Sequence, residues 1–392
     1  MRSTPLVIVF ITVFIALIGF GIVIPLLPVY ANRFGASGSM IGILMMSYSL
    51  MQFILSPFAG RLSDRIGRRP VLIISLIITT FSYILFGLAT DLTTLLISRI
   101  LAGIGGSDIT VAQAYIADVT TPQNRAKGMG LFGSAFNIGF IVGPFLGGVL
   151  APLGHGAPAF AAAGFSGITS ILALTALPEP QQHARTGKKS INVFRNLDQA
   201  LMIVILVYFF IVFAQSQLQS MIVLFNVNHF HWAERENGYY LGMVGVVAAC
   251  VQGGLIGFLS RKFGQRRLVI AGALLIGIGM WFISLVGRVS LLITGGMINA
   301  IGFALVMPSL SSMASLSSPR QLHGQVLRLY QSAGSLGRIL APVTGGLLFD
   351  KLSPSAPFFS GASLAALIFL FSLKFLKQPV IRDQATEFPE VT

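Results

Sequence analysis

The length of its charge-free apolar runs constrains this chain most. No Lys, Arg, Asp or Glu occurs from Ser3 to Asn32, from Phe34 to Gly60, or from Pro70 to Thr90. A longer uncharged run separates Lys127 from Glu179. A helix needs about 20 apolar residues to cross a bilayer. Backbone groups cannot stay unpaired in lipid, so these runs predict membrane-spanning helices. The run after Lys127 suffices for two crossings, with Pro152 to Pro158 as the turn between them. Read this way, the chain has twelve spans, centred near residues 18, 48, 80, 106, 139, 167, 212, 248, 277, 302, 336 and 365. Composition agrees: 10% of the 392 residues are charged, against roughly 25% in soluble domains.

The first span is too long for a cleaved secretory signal and no small-residue cleavage site follows it, so a permanent helix is expected. Cys250 has no partner for an internal disulfide, and its expected role is small apolar packing. His229 and His231 flank one residue near a helix end, which falls short of a metal-ligand pattern. No nucleophile–base pair, metal cluster or phosphate loop stands at useful spacing. Neither enzymatic activity nor a cofactor or metal is therefore expected.

Charge is distributed by side. With the N-terminus placed in the cytoplasm, twenty of the 26 Lys and Arg residues fall in cytoplasmic segments. The outer loops hold Arg33, Arg235, Arg288 and Lys351, while Arg99 and Arg338 lie within spans. This bias sets a topology with both termini cytoplasmic. It assigns the net charge of +14 to topology and to anionic lipid headgroups, and excludes nucleic acid as a partner.

Between the second and third spans the chain reads GRLSDRIGRRP, Gly60 to Pro70, with four arginines and one aspartate in nine residues. The stretch recurs 197 residues later, with Gly257, Leu259, Ser260 and Gly264 matching Gly60, Leu62, Ser63 and Gly67. A second repeat pairs GFIVGPFLGG, from Gly139, with GRILAPVTGG, from Gly337. Two six-helix bundles in the same orientation follow, at 1–177 and 198–377. A polar, basic cytoplasmic linker joins them at 178–197, and 378–392 forms a cytoplasmic tail.

At these motifs the chain resembles the major facilitator superfamily, over nearly its whole length. GRLSDRIGRRP is similar to that family's loop between helices 2 and 3, GFIVGPFLGG to the helix 5 signature of its proton-coupled antiporters, and LISRILAGIGG to its helix 4 arginine motif. DRIGRRPVLIISL and AYIADVTTPQNRAKGMG look most like the tetracycline and multidrug exporters of the drug:proton antiporter group. The resemblance implies an all-α membrane fold of twelve helices in two pseudo-symmetric six-helix bundles. It also implies a conformational latch built from Gly60, Asp64, Gly67, Arg68 and Asp118. In that latch Asp64 pairs with Arg68 and Asp118, and the two glycines let helices 2 and 11 approach. The alternative is that these charges only enforce topology. The second copy carries Arg261 where the first has Asp64, so the first copy should latch more strongly.

A charge at membrane depth costs a few kcal/mol or more, so it usually has a role. This chain has Arg99, Asp108 and Arg338 there. On one continuous helix, Arg99, Gly106, Thr110, Gln113 and Ala117 share a small polar stripe suited to a watery pathway. The resemblance puts Arg99 at the central cavity, contacting substrate or shaping the proton site; a structural hydrogen bond to helix 1 is the alternative. Asp108 lies about 180° from Arg99 on an ideal helix, so no simple ion pair is expected, though Gly103, Gly105 and Gly106 can distort the helix. Asp108 is the candidate proton carrier, or else a hydrogen-bonded acid packed near Tyr115. Arg338 could bind an anionic substrate group or a lipid headgroup, or cap a network. The run Gly139, Gly143, Pro144, Gly147 and Gly148 implies, by resemblance, a bend that blocks leak; close packing alone is the alternative. Further cavity candidates are Tyr48, Gln52, Phe132, Phe136, Asn137, Gln215, Gln219, Gln252, Asn299 and Gln331.

The chain departs from the family in one respect. Tetracycline exporters resembling it carry an aspartate in helix 1 where Ala16 stands, and an acid in helix 3 where this chain reads TTFSYILF. That absence puts metal–tetracycline exchange and the usual proton residues in doubt. The expected function is export of amphipathic organic compounds or drugs across a bacterial inner membrane by alternating access and proton antiport. The expected partners are a small amphipathic substrate, protons and membrane lipid, and the chain is expected to act as a monomer. The alternative is an exchanger or uniporter for a lipid, siderophore or metabolite. A non-transporting membrane sensor is the reading from another class, and it would need a soluble output domain for which no segment is long enough.

Overall fold

The computed structural model describes residues 4–120, 122–154, 156–180, 199–285, 287–317 and 323–377. Within them, the side chains of residues 4–9, 122, 123, 125–127, 130, 131, 133, 134, 136, 137, 140, 323 and 324 are outside the description. The described residues form thirteen α-helices and no strand. The first group comprises α1 (Thr4–Arg33), α2 (Gly38–Ile66), α3 (Arg68–Gly87), α4 (Leu92–Gly105), α5 (Asp108–Val119), α6 (Pro122–Leu150) and α7 (Ala157–Ala176). The second comprises α8 (Gln199–Phe230), α9 (Glu234–Cys250), α10 (Ile256–Ser284), α11 (Val289–Leu316), α12 (His323–Lys351) and α13 (Ala356–Phe375). A short 3₁₀ turn at Ala151–Leu153 follows α6 and overlaps the start of the turn expected between those spans.

Nine helical stretches among the described residues are long and apolar enough to cross a membrane. One of them, Glu234–Ser284, runs for 51 residues, roughly 75 Å if straight and far more than one crossing requires. It does not stay straight: Gly264 has φ 77° and ψ 156°, which breaks the helix. Gly67, its counterpart in the first copy, has φ 109° and ψ 154° and separates α2 from α3. Only glycine adopts such a backbone at no steric cost. The repeat therefore fixes a reversal at the same position in both copies. The following arginines behave alike too. Arg69 donates to the carbonyls of Ala173 and Leu174 at the end of α7. Arg266 donates to those of Leu376 and Leu373 at the end of α13. The helices α6 and α12, 29 residues each, are also long enough to span.

The groups are joined by two seams, α2 with α12 and α6 with α9. One apolar core cluster runs through both groups. A second lies wholly within the first group, between α1, α3, α5, α6 and α7. Cys250, expected to pack among apolar side chains, is exposed at the end of α9.

Candidate functional site

The fourth span is two helices. Gly106 and Ser107 leave helical register between α4 and α5, and Gln52 of α2 donates through Nε2 to the freed Gly106 carbonyl at 2.8 Å. Gln52 also reaches the Tyr48 hydroxyl at 3.4 Å, and Tyr48 packs against Phe20 of α1 with ring centroids 5.2 Å apart. A cavity of about 40 Å³ opens here, bounded by Thr12, Ala16 and Phe20 of α1, Tyr48 of α2, Thr79 and Tyr83 of α3, and Asp108 of α5. That volume exceeds what one water molecule needs.

The break divides the stripe expected on one continuous helix. Arg99 and Gly106 are buried, whereas Thr110 and Gln113 are exposed and Ala117 is half-buried. A wheel drawn through one α-helix loses register where Gly106 and Ser107 turn more tightly, with 3₁₀-type bonds from Ser107 to Ile104 and from Thr110 to Ser107. Arg99 lies over the Phe86 ring, 4.8 Å from its centroid, and its Nε and Nη2 have no hydrogen-bond partner. Arg99 and Asp108 form no ion pair; the pairs among the described residues are Arg33–Glu234, Arg68–Asp64 and Arg68–Asp118. Tyr115 turns away from Asp108, its hydroxyl donating to the Pro178 carbonyl.

Among the other candidates, Gln215 is buried with Oε1 unpartnered, and Gln252 is half-buried in a π turn. Gln219 and Gln331 are exposed. Asn299 is buried with Nδ2 unpartnered, in the seam where α11 meets Gly279 of α10. Phe132 is buried in the first group's own core. The side chains of Phe136 and Asn137 lie outside the described residues. Arg338 is half-buried midway along α12, with Nη2 3.1 Å from the Ser335 hydroxyl.

The basic loop forms a compact cluster. Arg68 is 4% exposed and holds Asp64 at 2.5 Å, Asp118 at 2.8 Å and the Ser63 hydroxyl at 2.6 Å. A third carboxylate, not singled out from the sequence, closes it: Glu179 accepts from the backbone N–H of Arg68 at 2.6 Å and of Arg69 at 3.0 Å. An acid there complements the N-terminus of α3. All of these residues belong to the first group or its end. Where a Gly60 Cβ would project there is open space, and so it is for Gly253, Gly254 and Gly257 in the second copy.

The other end, marked by Arg33, is shut. Gly148 of α6 lies against Gly238 of α9, and Gly346 of α12 lies against Gly38 of α2, so closely that any side chain would collide with backbone. Gly147 and Gly345, one residue earlier in each copy, pack instead on α1 and α8 of their own groups. Polar contacts cross the same end: Arg33 pairs with Glu234 at 2.6 Å. Asp350 of α12 accepts from the Gly38 and Ser39 N–H groups at 2.8 Å each and from the Ser39 hydroxyl at 2.6 Å. Read from the residues alone, Glu234 and Asp350 stand out only as acids bordering spans.

The profile of the Major Facilitator Superfamily matches residues 9–262 and 253–390. The chain is 32% identical to Multidrug resistance protein 2 of Bacillus subtilis, over 89% of this chain and 90% of that protein. It is 30% identical to the class C Tetracycline resistance protein of Escherichia coli, over 96% and 97%. Among solved structures, the nucleoside transporter NupG superposes with a TM-score of 0.80 at 12% identity, covering 95% of this chain and 100% of that one. A bacterial homologue of the human lysosomal transporter Spinster, in an inward-facing and occupied conformation, gives 0.78 at 19% identity, over 96% of both chains.

Proposed function

The chain belongs to the Major Facilitator Superfamily, and on that premise we propose that it exports amphipathic organic compounds or drugs by alternating access, exchanging them for protons. The relatives named for multidrug and tetracycline resistance support the substrate class. The cavity carries the coupling part of the reading. Ala16, where the resemblance expects an acid, and Asp108 both line this cavity. Asp108 thus offers its carboxyl to the chamber that lacks one on α1. Acids facing a watery chamber within a membrane are suited to relaying protons.

The closed Arg33 end and the open Gly60 end support an alternating-access cycle in which α1–α7 and α8–α13 rock about the cleft between them. On the Lys and Arg bias the Gly60 end faces the cytoplasm, in a bacterial inner membrane with both termini inside. The bundles are 1–177 and 198–377, joined by the cytoplasmic linker at 178–197 and followed by the tail at 378–392. In this scheme Asp64, already 47% exposed, is the arm the Arg68 cluster presents to the second group when the Gly60 end closes.

Proteoliposomes that carry an internal pH dye test the coupling. With a transported drug added, the native chain moves protons and Asp108→Asn does not, while drug binding survives. Undiminished drug-driven proton movement in Asp108→Asn would remove Asp108 from the role. A second reading, exchange without protons, is favoured by Ala16 itself. It predicts drug-for-drug exchange that no pH gradient alters.

A further inference from the structure

This inference rests on the transporter reading and narrows it. Two arginines stand at membrane depth without a carboxylate partner. Arg99 is 5% exposed, with Nε and Nη2 unbonded. Arg338 is at the midpoint of α12 and, among the described residues, makes no ion pair; its Nη2 contact is the neutral Ser335 hydroxyl. Arg338 is also held in place. It lies beside Tyr208, which stacks on Tyr330 with centroids 3.7 Å apart, both rings buried. Here α12 packs on α2 where Gly42 meets Pro342, about one turn from Arg338, and Tyr48, which lines the cavity, lies less than two turns further along α2.

The Asp, Glu, Lys and Arg side chains described at this depth are therefore two cations and one acid, Asp108, which pairs with neither. A buried cation is tolerable when an anion or water meets it. Protein dipoles cannot fully stand in for the counterion, so the centre of the cleft favours a negative guest. On the first group's side, the cavity that Tyr48 lines has apolar and aromatic walls, among them Ala16, Leu17 and Phe20. We infer that the cleft is selective for amphipathic organic anions, whose carboxylate, sulfonate or comparable group meets Arg338 while the apolar body lies toward α1 and α2. Arg99 acts at longer range, adding positive potential without touching the ligand.

Tetraphenylborate and tetraphenylphosphonium are nearly alike in size and shape and opposite in charge, so they isolate the sign. Equilibrium dialysis against the purified full chain in neutral detergent, corrected for empty micelles, reads the saturable part of each. Through the sign of its charge alone, since it offers no hydrogen-bond acceptor, the borate should bind at least about tenfold more tightly than the phosphonium. Arg338→Gln should weaken the borate about tenfold and leave the phosphonium unchanged, and Arg338→Lys should restore most of the loss. A native chain that prefers the phosphonium, or shows no preference, overturns the inference whether or not any variant folds, and leaves the transporter reading intact. So does a preference that Arg338→Gln, eluting as a folded monodisperse protein, does not reduce. Displacement of the borate by phosphatidylglycerol but not phosphatidylcholine would assign the site to a lipid headgroup and overturn the substrate claim. Absence of saturable binding of either ion would overturn this inference, while the proteoliposome assay judges the transporter reading separately.

Discussion

The two ends of the molecule are built from the same duplicated motifs yet do opposite things. At the Arg33 end, Gly148 and Gly346 bring the two groups into backbone contact, and Asp350 and Glu234 bond across. At the Gly60 end, Gly60 and Gly257 face open space, and the charged cluster is satisfied within its own group. Small residues permit close approach but do not enforce it. What distinguishes the ends is whether polar contacts cross between the groups or stay inside one. A charge pair kept inside a group stabilises that group in every state, whereas one that crosses stabilises a single state.

The largest effect should come from removing Arg68. It leaves Asp118, 16% exposed, without its partner, and breaking a buried pair costs about 3–5 kcal/mol. Arg68→Ala should therefore lower the thermal midpoint in detergent strongly. Arg33→Ala also leaves a buried carboxylate, Glu234 at 9% exposure, but through an arginine that is itself 48% exposed, so it should cost less, about 1–2 kcal/mol. Equal losses would erase the distinction between internal and crossing pairs.

Next in size is the seam. Gly346→Leu drives a side chain into the Gly38 backbone, an overpacking cost of about 1–3 kcal/mol. It should shift the population away from the closed Arg33 end by roughly five- to a hundredfold, seen as a longer spin-label distance there. Gly257→Leu meets no neighbour in this state and should change thermal stability by less than about 0.5 kcal/mol.

Asp350→Asn removes the charge that caps α2 from the opposite group, and a cap of this kind contributes about 1 kcal/mol. The closed Arg33 end should lose population about fivefold, while the distance across the Gly60 end shortens in the fraction that switches.

The smallest effect is one of pH. Asp91 caps α4, and the Thr94 N–H and hydroxyl hold its carboxyl below the ordinary carboxylate range. A lowered folded value means that its contribution is complete above the usual carboxylate pKa of about 3.9. That contribution fades as pH falls through the folded value. Asp91→Asn should lower the midpoint slightly above about pH 5, where the charged cap contributes fully, and the two chains should converge as pH falls through the folded value.

Much of this architecture was legible in the residues because its signals are local. Charge-free runs mark spans by length alone. The 197-residue repeat places Gly67 and Gly264, and both prove to be reversals. The site was less legible. The stripe from Arg99 to Ala117 presumed one helix, and the break at Gly106–Ser107 divides it. Glu179 and Asp350 escaped notice because their bonds reach partners 111 and 312 residues away in the chain. Periodicity within a span carries no information about such contacts. The two glycines of each GG pair look alike in sequence, yet one faces its own group and the other faces across.

The account turns on the ends being coupled, and paired spin labels read both at once. Cys250, exposed, is first replaced by Cys250→Ser. Labels then go on Leu153→Cys with Leu352→Cys at the Arg33 end, and on Leu62→Cys with Phe258→Cys at the Gly60 end, all at exposed positions. On adding a transported drug or changing pH, one distance should lengthen as the other shortens. Two distances that stay fixed, or that move in the same direction, would contradict a rocking of the two groups about a central cleft.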